Sequence, residues 1–289
     1  MSDRRGFTLT ELLVVLSILA VLGAMAVPAL RAALERADRT VCLSNLRQIG
    51  QAMHEYVLDH GQYPAAELSR SDAHGRVVER VRWYHALAPY LDAPRSAWSS
   101  GQGRVQVDGQ GRATGWVLPS EDDADPSVFP DVFRCPKCRS WEVGRNMSYG
   151  YNHQRFGDAR VISYRDDGRP IYRRYPVRPD EIGDARNTVL ICDSNGTGLE
   201  EYRPTARMNS DAIGNHGFTV DPPRLPTIAG TRWGSDGVMA GVGEPVRASR
   251  PSSRHRGGAC VLFADYHVEW IAHDRLMREQ EWFLNEQAQ

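Results

Sequence analysis

Lysine is almost absent from this chain of 289 residues: among 35 basic side chains Lys137 is the only one, and the rest are arginine. Net charge is nearly absent too, at −1. The arginines of 76–82 and 169–178 are interleaved with Glu, Asp or Pro, which describes a solvated mixed-charge face rather than a phosphate-binding surface. Nucleic acid is therefore not expected as a partner. The chain has no G-x-S-x-G elbow, no Gly-rich phosphate loop and no H-E-x-x-H helix. These absences remove the common signatures of serine hydrolases, nucleotide-binding enzymes and zinc proteases, and no enzyme is expected. A second C-x2-C pair is missing as well. Finally, residues 12–30 contain no ionisable side chain at all.

That last absence dominates the organisation. Nineteen uncharged, mostly apolar residues match a helix that spans a hydrocarbon core of roughly 30 Å. The mean hydropathy of the whole chain is nevertheless negative, so the rest is a polar body. One anchor and one exposed domain follow. Two plain readings of the start compete: a secretory signal peptide with an Ala24-Met25-Ala26 cleavage site, or a single-pass anchor. The apolar run is longer than an ordinary signal core of about 7–15 residues. The basic residues Arg4 and Arg5 face Arg31, Arg36 and Arg39 across the span, so charge gives little orientation. Neither reading accounts for Glu11, a carboxylate at the edge of the apolar run. Such a charge inside a membrane segment costs about 2–4 kcal/mol and needs a partner.

The residues Arg4-Arg5-Gly6-Phe7-Thr8-Leu9-Thr10-Glu11, followed by Leu12-Leu13-Val14-Val15, resemble the prepilin motif of type IV pilins and type II secretion pseudopilins. The resemblance implies a leader of residues 1–6, cleavage between Gly6 and Phe7 by a prepilin peptidase, and methylation of the new Phe7 amine. It implies that Glu11 pairs with the Phe7 amine of a neighbouring subunit during assembly, and that 7–30 is the transmembrane and assembly helix. The implied location is the inner membrane, crossed once, with the body on the periplasmic or extracellular side. The implied partners are the peptidase, the membrane and other subunits of the same kind.

Beyond Pro28, Leu30, Leu34, Ala37, Val41, Leu46, Ile49, Met53 and Tyr56 recur mostly at steps of three and four, an amphipathic helical period. The spacing predicts that the helix continues over 31–60, bends at Pro28 and ends at His60-Gly61. Short β-branched or aromatic runs at 148–152, 160–164, 171–175, 188–192 and 259–271 read as strands. The Gly-rich stretch 101–115 reads as a loop or weak hairpin. Residues 195–253 read as a long irregular insertion, partly ordered by Trp233, Met239 and Val242. The expected architecture is α+β, pilin-like: a long N-terminal helix packed on an antiparallel sheet, with 61–289 as one sheet-rich domain.

Other blocks sharpen the resemblance. Cys42-Leu43-Ser44-Asn45-Leu46-Arg47-Gln48-Ile49-Gly50, Trp83 with Leu87, Pro89, Tyr90 and Leu91, Phe133-Arg134-Cys135-Pro136 and Ser148-Tyr149-Gly150-Tyr151-Asn152 are similar to a pseudopilin-like subfamily that ends in an H-x9-DG signature. His255 and Asp265 stand at that spacing. Tyr266 replaces the usual Gly, at a turn that calls for positive φ.

Two groups offer chemistry. Cys135 and Cys138 form a C-x2-C pair that suits a local disulfide, free thiols or half of a metal site. Cys42, Cys192 and Cys260 stand alone in apolar or helical contexts and read as buried small hydrophobes. The second group is His255, Asp265 and His267, expected on a hairpin beside Asp193. Imidazole and carboxylate together suit a divalent metal. The plainer reading, which these residues favour, is a hairpin whose ends are tied by hydrogen bonds to backbone groups. The expected function is a structural filament subunit with no cofactor. Its rival is a membrane-tethered binding or metal-dependent ectodomain that uses the prepilin export route.

Overall fold

A computed structural model describes residues 9–71, 77–91, 104–107, 113–117, 131–138, 147–157, 161–164, 170–172, 176–196, 217–225, 227–228, 231–233, 235, 239–241 and 248–284. Gly6, Phe7 and the acidic stretch 121–126 lie outside them.

The apolar run and the amphipathic run form one helix, α1, Leu9–His60, which passes through Pro28 without ending. Its two halves behave differently. From Leu9 to Leu30 the large apolar side chains are exposed, and the most apolar stretch buries nothing against the rest of the chain. From Cys42 onward, Leu46, Ile49, Ala52, Met53, Tyr56 and Val57 are buried along one stripe. The helix stops where Gly61 takes φ +68° and donates its N–H to the Val57 carbonyl at 2.8 Å, a glycine C-cap.

The buried stripe lies on a four-stranded antiparallel sheet. Its strands, in spatial order, are Val268–Ala272, Gly258–Phe263, Val189–Asp193 and Tyr149–Tyr151. This is the expected α+β arrangement of a helix on a sheet. Gly50 allows the close approach of the two layers: a Cβ there would sit 2.9 Å from the Leu262 methyl carbon. Strand parity then sorts the cysteines. Cys260 and Leu262 join the core shared with α1, whereas Val261, Phe263 and Cys192 join a second core on the opposite face. That second core is closed by Leu276 and Phe283 from the two short C-terminal helices, His273–Arg278 and Glu281–Leu284.

Smaller antiparallel pairs decorate this frame: Glu67–Ser71 with Val77–Arg82, Arg104–Val107 with Ala113–Val117, and Val161–Tyr164 with Pro170–Tyr172. The first of these was not apparent in the sequence, and the second is the weak hairpin expected of the Gly-rich stretch. The 195–253 segment has more order than its composition implies. It carries a three-stranded sheet in which Trp233 pairs in register with Met239. It also carries the fully buried Asp221, whose carboxylate accepts from His153 Nε2 (2.9 Å), Gln154 Nε2 (3.0 Å), the Ser235 N–H and hydroxyl, and the Ser249 N–H. Burial alone would raise the Asp221 pKa. The His153 hydrogen bond and charge outweigh burial and hold it below the usual carboxylate range.

Candidate functional site

Two features stand apart from ordinary packing. The first is the exposed half of α1. Glu11 lies in its first turn, and Leu12, Leu16, Leu19 and Leu22 are each more than half exposed. Gly23 has open space around it, so a second helix meets no side chain there. An apolar surface of this length on a polar body is stable only against lipid or other apolar helices.

The second feature lies where the buried half of α1 meets the sheet. Helix α1 supplies Cys42, and the turn after the short 3-10 helix Asp131–Phe133 supplies Cys135. The strand end at Asp193 supplies a carboxylate, the turn that enters the neighbouring strand supplies His255, and that strand supplies Cys260. That turn is made by positive φ at Arg256 (54°) and Gly257 (78°), and it is closed by the His255 N–H donating to the Gly258 carbonyl at 3.1 Å. The His255 carbonyl accepts from Trp270 Nε1 at 2.8 Å, so the backbone under the imidazole is held from two sides.

The side chains converge. Cys42 Sγ is 3.5 Å from Asp193 Oδ1, His255 Nε2 is 3.6 Å from Asp193 Oδ2, and Cys135 Sγ is 3.3 Å from His255 Nε2. The ligand atoms of Cys42, Asp193, His255 and Cys260 all fall within 4.8 Å of one another, and all four residues are fully buried. Around them, Tyr149 donates its hydroxyl to Cys42 Sγ at 3.2 Å, and the Cys260 N–H donates to Asp193 Oδ2 at 2.7 Å. The Arg254 guanidinium lies 3.8 Å from Asp193 Oδ1 and also donates to Cys138 Sγ. The other His255 ring nitrogen, Nδ1, has no hydrogen-bond partner among the described residues.

Electrostatics follow from the dry setting. Burial pushes the Cys42 thiol and the Asp193 carboxyl upward, and Arg254 opposes the second shift. Cys135 goes the other way: hydrogen bonds from Cys138 and then Cys42 outweigh its burial and hold its pKa far below that of an ordinary thiol. The group therefore brings thiol sulfur, imidazole and a carboxyl group together in one solvent-free space.

Several expectations change here. The Cys135–Cys138 disulfide is not formed; all five cysteines are free. Cys135 turns to His255 while Cys138 turns to Arg254, and the Cys138 N–H closes the turn by donating to the Cys135 carbonyl at 2.9 Å. Cys42 and Cys260 are not isolated hydrophobes but members of the cluster; Cys192 alone packs apart from it. Asp265 and His267 do not join His255 and Asp193. They sit at the far end of the Gly258–Phe263 strand, partly exposed and paired with each other at 2.5 Å. There the His267 N–H also donates to Asp265 Oδ1 at 3.2 Å, and Tyr266 adopts φ 69° in the turn. The sole lysine, Lys137, pairs with Glu35 of α1 beside the cluster.

A family model described as "Protein of unknown function (DUF1559)" matches residues 31–274. The chain belongs to the DUF1559 family. A second model, the prokaryotic N-terminal methylation motif, matches residues 1–27, so this family member also carries a prepilin-type start. The chain is 43% identical over 67 residues to the type II secretion system core protein G of Klebsiella pneumoniae, covering 23% of the chain and 48% of that protein. The core protein G of Klebsiella michiganensis is 28% identical over 132 residues, covering 45% of the chain and 92% of that protein. The type IV wide pilus major component PilA4 of Thermus thermophilus is 40% identical over 63 residues, covering 22% of the chain and 48% of that protein. The chain thus spans about half the length of most curated relatives it matches. No solved structure matches it.

Proposed function

We propose that this DUF1559 member is a pilin-like structural subunit of a membrane-rooted filament or type II secretion-like pseudopilus. A prepilin peptidase removes residues 1–6, and the exposed Phe7 amine is methylated. The first half of α1 then stays in the inner membrane until it bundles with the same segment of other subunits. The body lies on the periplasmic side and decorates the assembly.

The observation that carries this reading is the exposed apolar half of α1 with Glu11 in its first turn. A helix with nothing of its own chain to pack on needs an apolar surround. A carboxylate near its start attracts a cation in such a surround. Glu11 stands four residues after Phe7, a span of about 6 Å on a helix at 1.5 Å per residue. A neighbour displaced by one step brings its amine to that carboxylate. The relatives named as pilus and secretion components support the same reading.

The alternative, a membrane-tethered binding or metal-dependent ectodomain that uses the prepilin export route, has less support. The cysteine–histidine–aspartate cluster is fully buried, and catalytic metal centres keep a position open to substrate.

The deciding experiment is mass spectrometry of the N-terminal peptide from native membranes, with the peptidase present and deleted. A methylated chain that starts at Phe7 only when the peptidase is present is the expected result. A chain starting at Met1 in both strains, or near Val27, overturns the proposal.

A further inference from the structure

We propose that Cys42, Asp193, His255 and Cys260, flanked by Cys135, bind a zinc-class divalent ion that pins helix α1 to the sheet. The argument is geometric. In a tetrahedral zinc shell the bonds are about 2.3 Å to sulfur and about 2.0–2.2 Å to nitrogen or oxygen. Neighbouring donors around such an ion therefore lie about 3.3–3.8 Å apart. The separations here are 3.5 Å between Cys42 Sγ and Asp193 Oδ1, 3.6 Å between His255 Nε2 and Asp193 Oδ2, and 3.3 Å between Cys135 Sγ and His255 Nε2. The His255–Asp193 separation is longer than a nitrogen–oxygen hydrogen bond, the two sulfur separations suit a hydrogen bond or a coordination edge alike, and the four donor atoms all lie within 4.8 Å of one another.

Chemistry and charge point the same way. Mixed thiolate and imidazole donors select zinc over calcium or magnesium, which take oxygen. Two thiolates and one carboxylate, all buried, are balanced by one divalent ion together with Arg254, whose guanidinium lies 3.8 Å from Asp193 Oδ1. Without an ion the same groups stay protonated or leave charge buried, which is costly. The surroundings have the form of an outer shell: Tyr149 donates to Cys42 Sγ and the Cys260 N–H donates to Asp193 Oδ2.

The position in the fold defines the role. The four donors come from α1, a strand end, a turn and the neighbouring strand, so the ion staples elements up to 218 positions apart in the chain, from Cys42 to Cys260. Every donor is fully buried, which suits a closed structural site rather than an open catalytic one. This inference does not depend on assembly into a fibre, since a metal-loaded body that never assembles leaves it intact.

The test uses the full chain purified in detergent under reducing conditions. Its metal content is measured by elemental mass spectrometry, and cobalt(II) is then substituted for the bound ion. The expected result is one zinc per chain, together with intense sulfur-to-cobalt charge-transfer absorption and tetrahedral d–d bands. Cys42→Ser should lose binding by more than the roughly 10–100-fold that a missing outer-shell partner costs. Cys135→Ser should keep one ion with weakened affinity. Cys192→Ser, in the opposite core, should bind like the wild type. A well-folded wild-type chain without stoichiometric metal and without the cobalt–thiolate bands overturns the proposal. So does native material in which Cys42 is disulfide-bonded to Cys260 or Cys135.

Discussion

The Tyr149 hydroxyl donates to the sulfur of Cys42 at 3.2 Å and accepts from Asn45 Nδ2 at 3.4 Å, so one side chain of the sheet holds two successive turns of α1. Tyr149 is completely buried. Tyr149→Phe keeps the ring and removes the hydroxyl. It should cost about 1–2 kcal/mol, because Asn45 retains the Arg134 carbonyl while Cys42 loses its donor. Urea denaturation of the detergent-solubilised chain checks this. A neutral effect would mean that the contact contributes nothing to docking of the helix.

Tyr266 occupies left-handed backbone space at φ 69°, and its ring packs on His54 of α1 with centroids 5.0 Å apart. Strain and packing therefore oppose each other at one residue. Tyr266→Ala keeps the strain and loses the packing; Tyr266→Gly loses both. The Gly variant should be more stable than the Ala variant by about 1 kcal/mol. Thermal melts of the two variants, compared with each other, isolate the backbone contribution.

Gly150 sits where the edge strand meets the 217–221 segment. An added Cβ would approach the Thr219 carbonyl oxygen to 2.6 Å and the Val220 Cβ to 2.8 Å. Both obstacles are fixed in place: Tyr151 exchanges backbone hydrogen bonds with Phe218 and Val220. Gly150→Ala should destabilise the chain by about 1–3 kcal/mol. It should also raise hydrogen exchange at the Val220 amide before it does so in the central strands.

His85 is fully buried, and burial followed by the nearby Arg82 charge holds its pKa well below the usual histidine value. Its Nδ1 accepts the Arg82 N–H at 3.0 Å, and its ring lies 4.2 Å from that of Tyr84. The native state thus keeps His85 neutral while the unfolded chain protonates it below about pH 6.5. The unfolded state binds the extra proton, so stability must fall as pH drops below that value, by up to about 1.4 kcal/mol per unit. The loss ends at the lowered native pKa. His85→Gln should flatten this slope between roughly pH 7 and pH 5, whatever its effect on absolute stability. Asp221 acts at lower pH and in the same direction. Its native pKa is depressed, so its contribution is present above about pH 3.9 and disappears as pH falls through the native value.

The sequence reveals most clearly the elements governed by local periodicity. The run without charges and the three-and-four spacing that follows it define α1 to within a few residues of both ends. The apolar strands at 188–192 and 259–271 are equally legible, and so is the demand for positive φ at residue 266. What stays hidden depends on register. Cys192 and Cys260 look alike as single cysteines in apolar strands, yet strand parity sends one to each face of the sheet. Cys42 meets Asp193 across 151 positions, a pairing no local pattern encodes. The His255–Asp265 spacing suggested one site, but an extended strand separates the two residues. Asp221 was hidden for another reason: His153 and Gln154 stand 68 and 67 positions away in the chain, and its other partners are the backbone amides of Ser235 and Ser249 and the Ser235 hydroxyl, which carry no compositional mark.

Helix α1 runs without a break from Leu9 to His60, through Pro28, and one end of it is part of the body's core. The stem and the body therefore share a single azimuth. However the apolar end is seated, its rotation about the helix axis dictates which face of the body looks outward. One residue inserted between Leu30 and Leu34, ahead of the Glu35 contact with Lys137, would turn the body by about 100° and shift it by about 1.5 Å. The body is thus oriented by counting residues along a rod, and small insertions or deletions in that stretch change which surface is presented without altering any contact within the body.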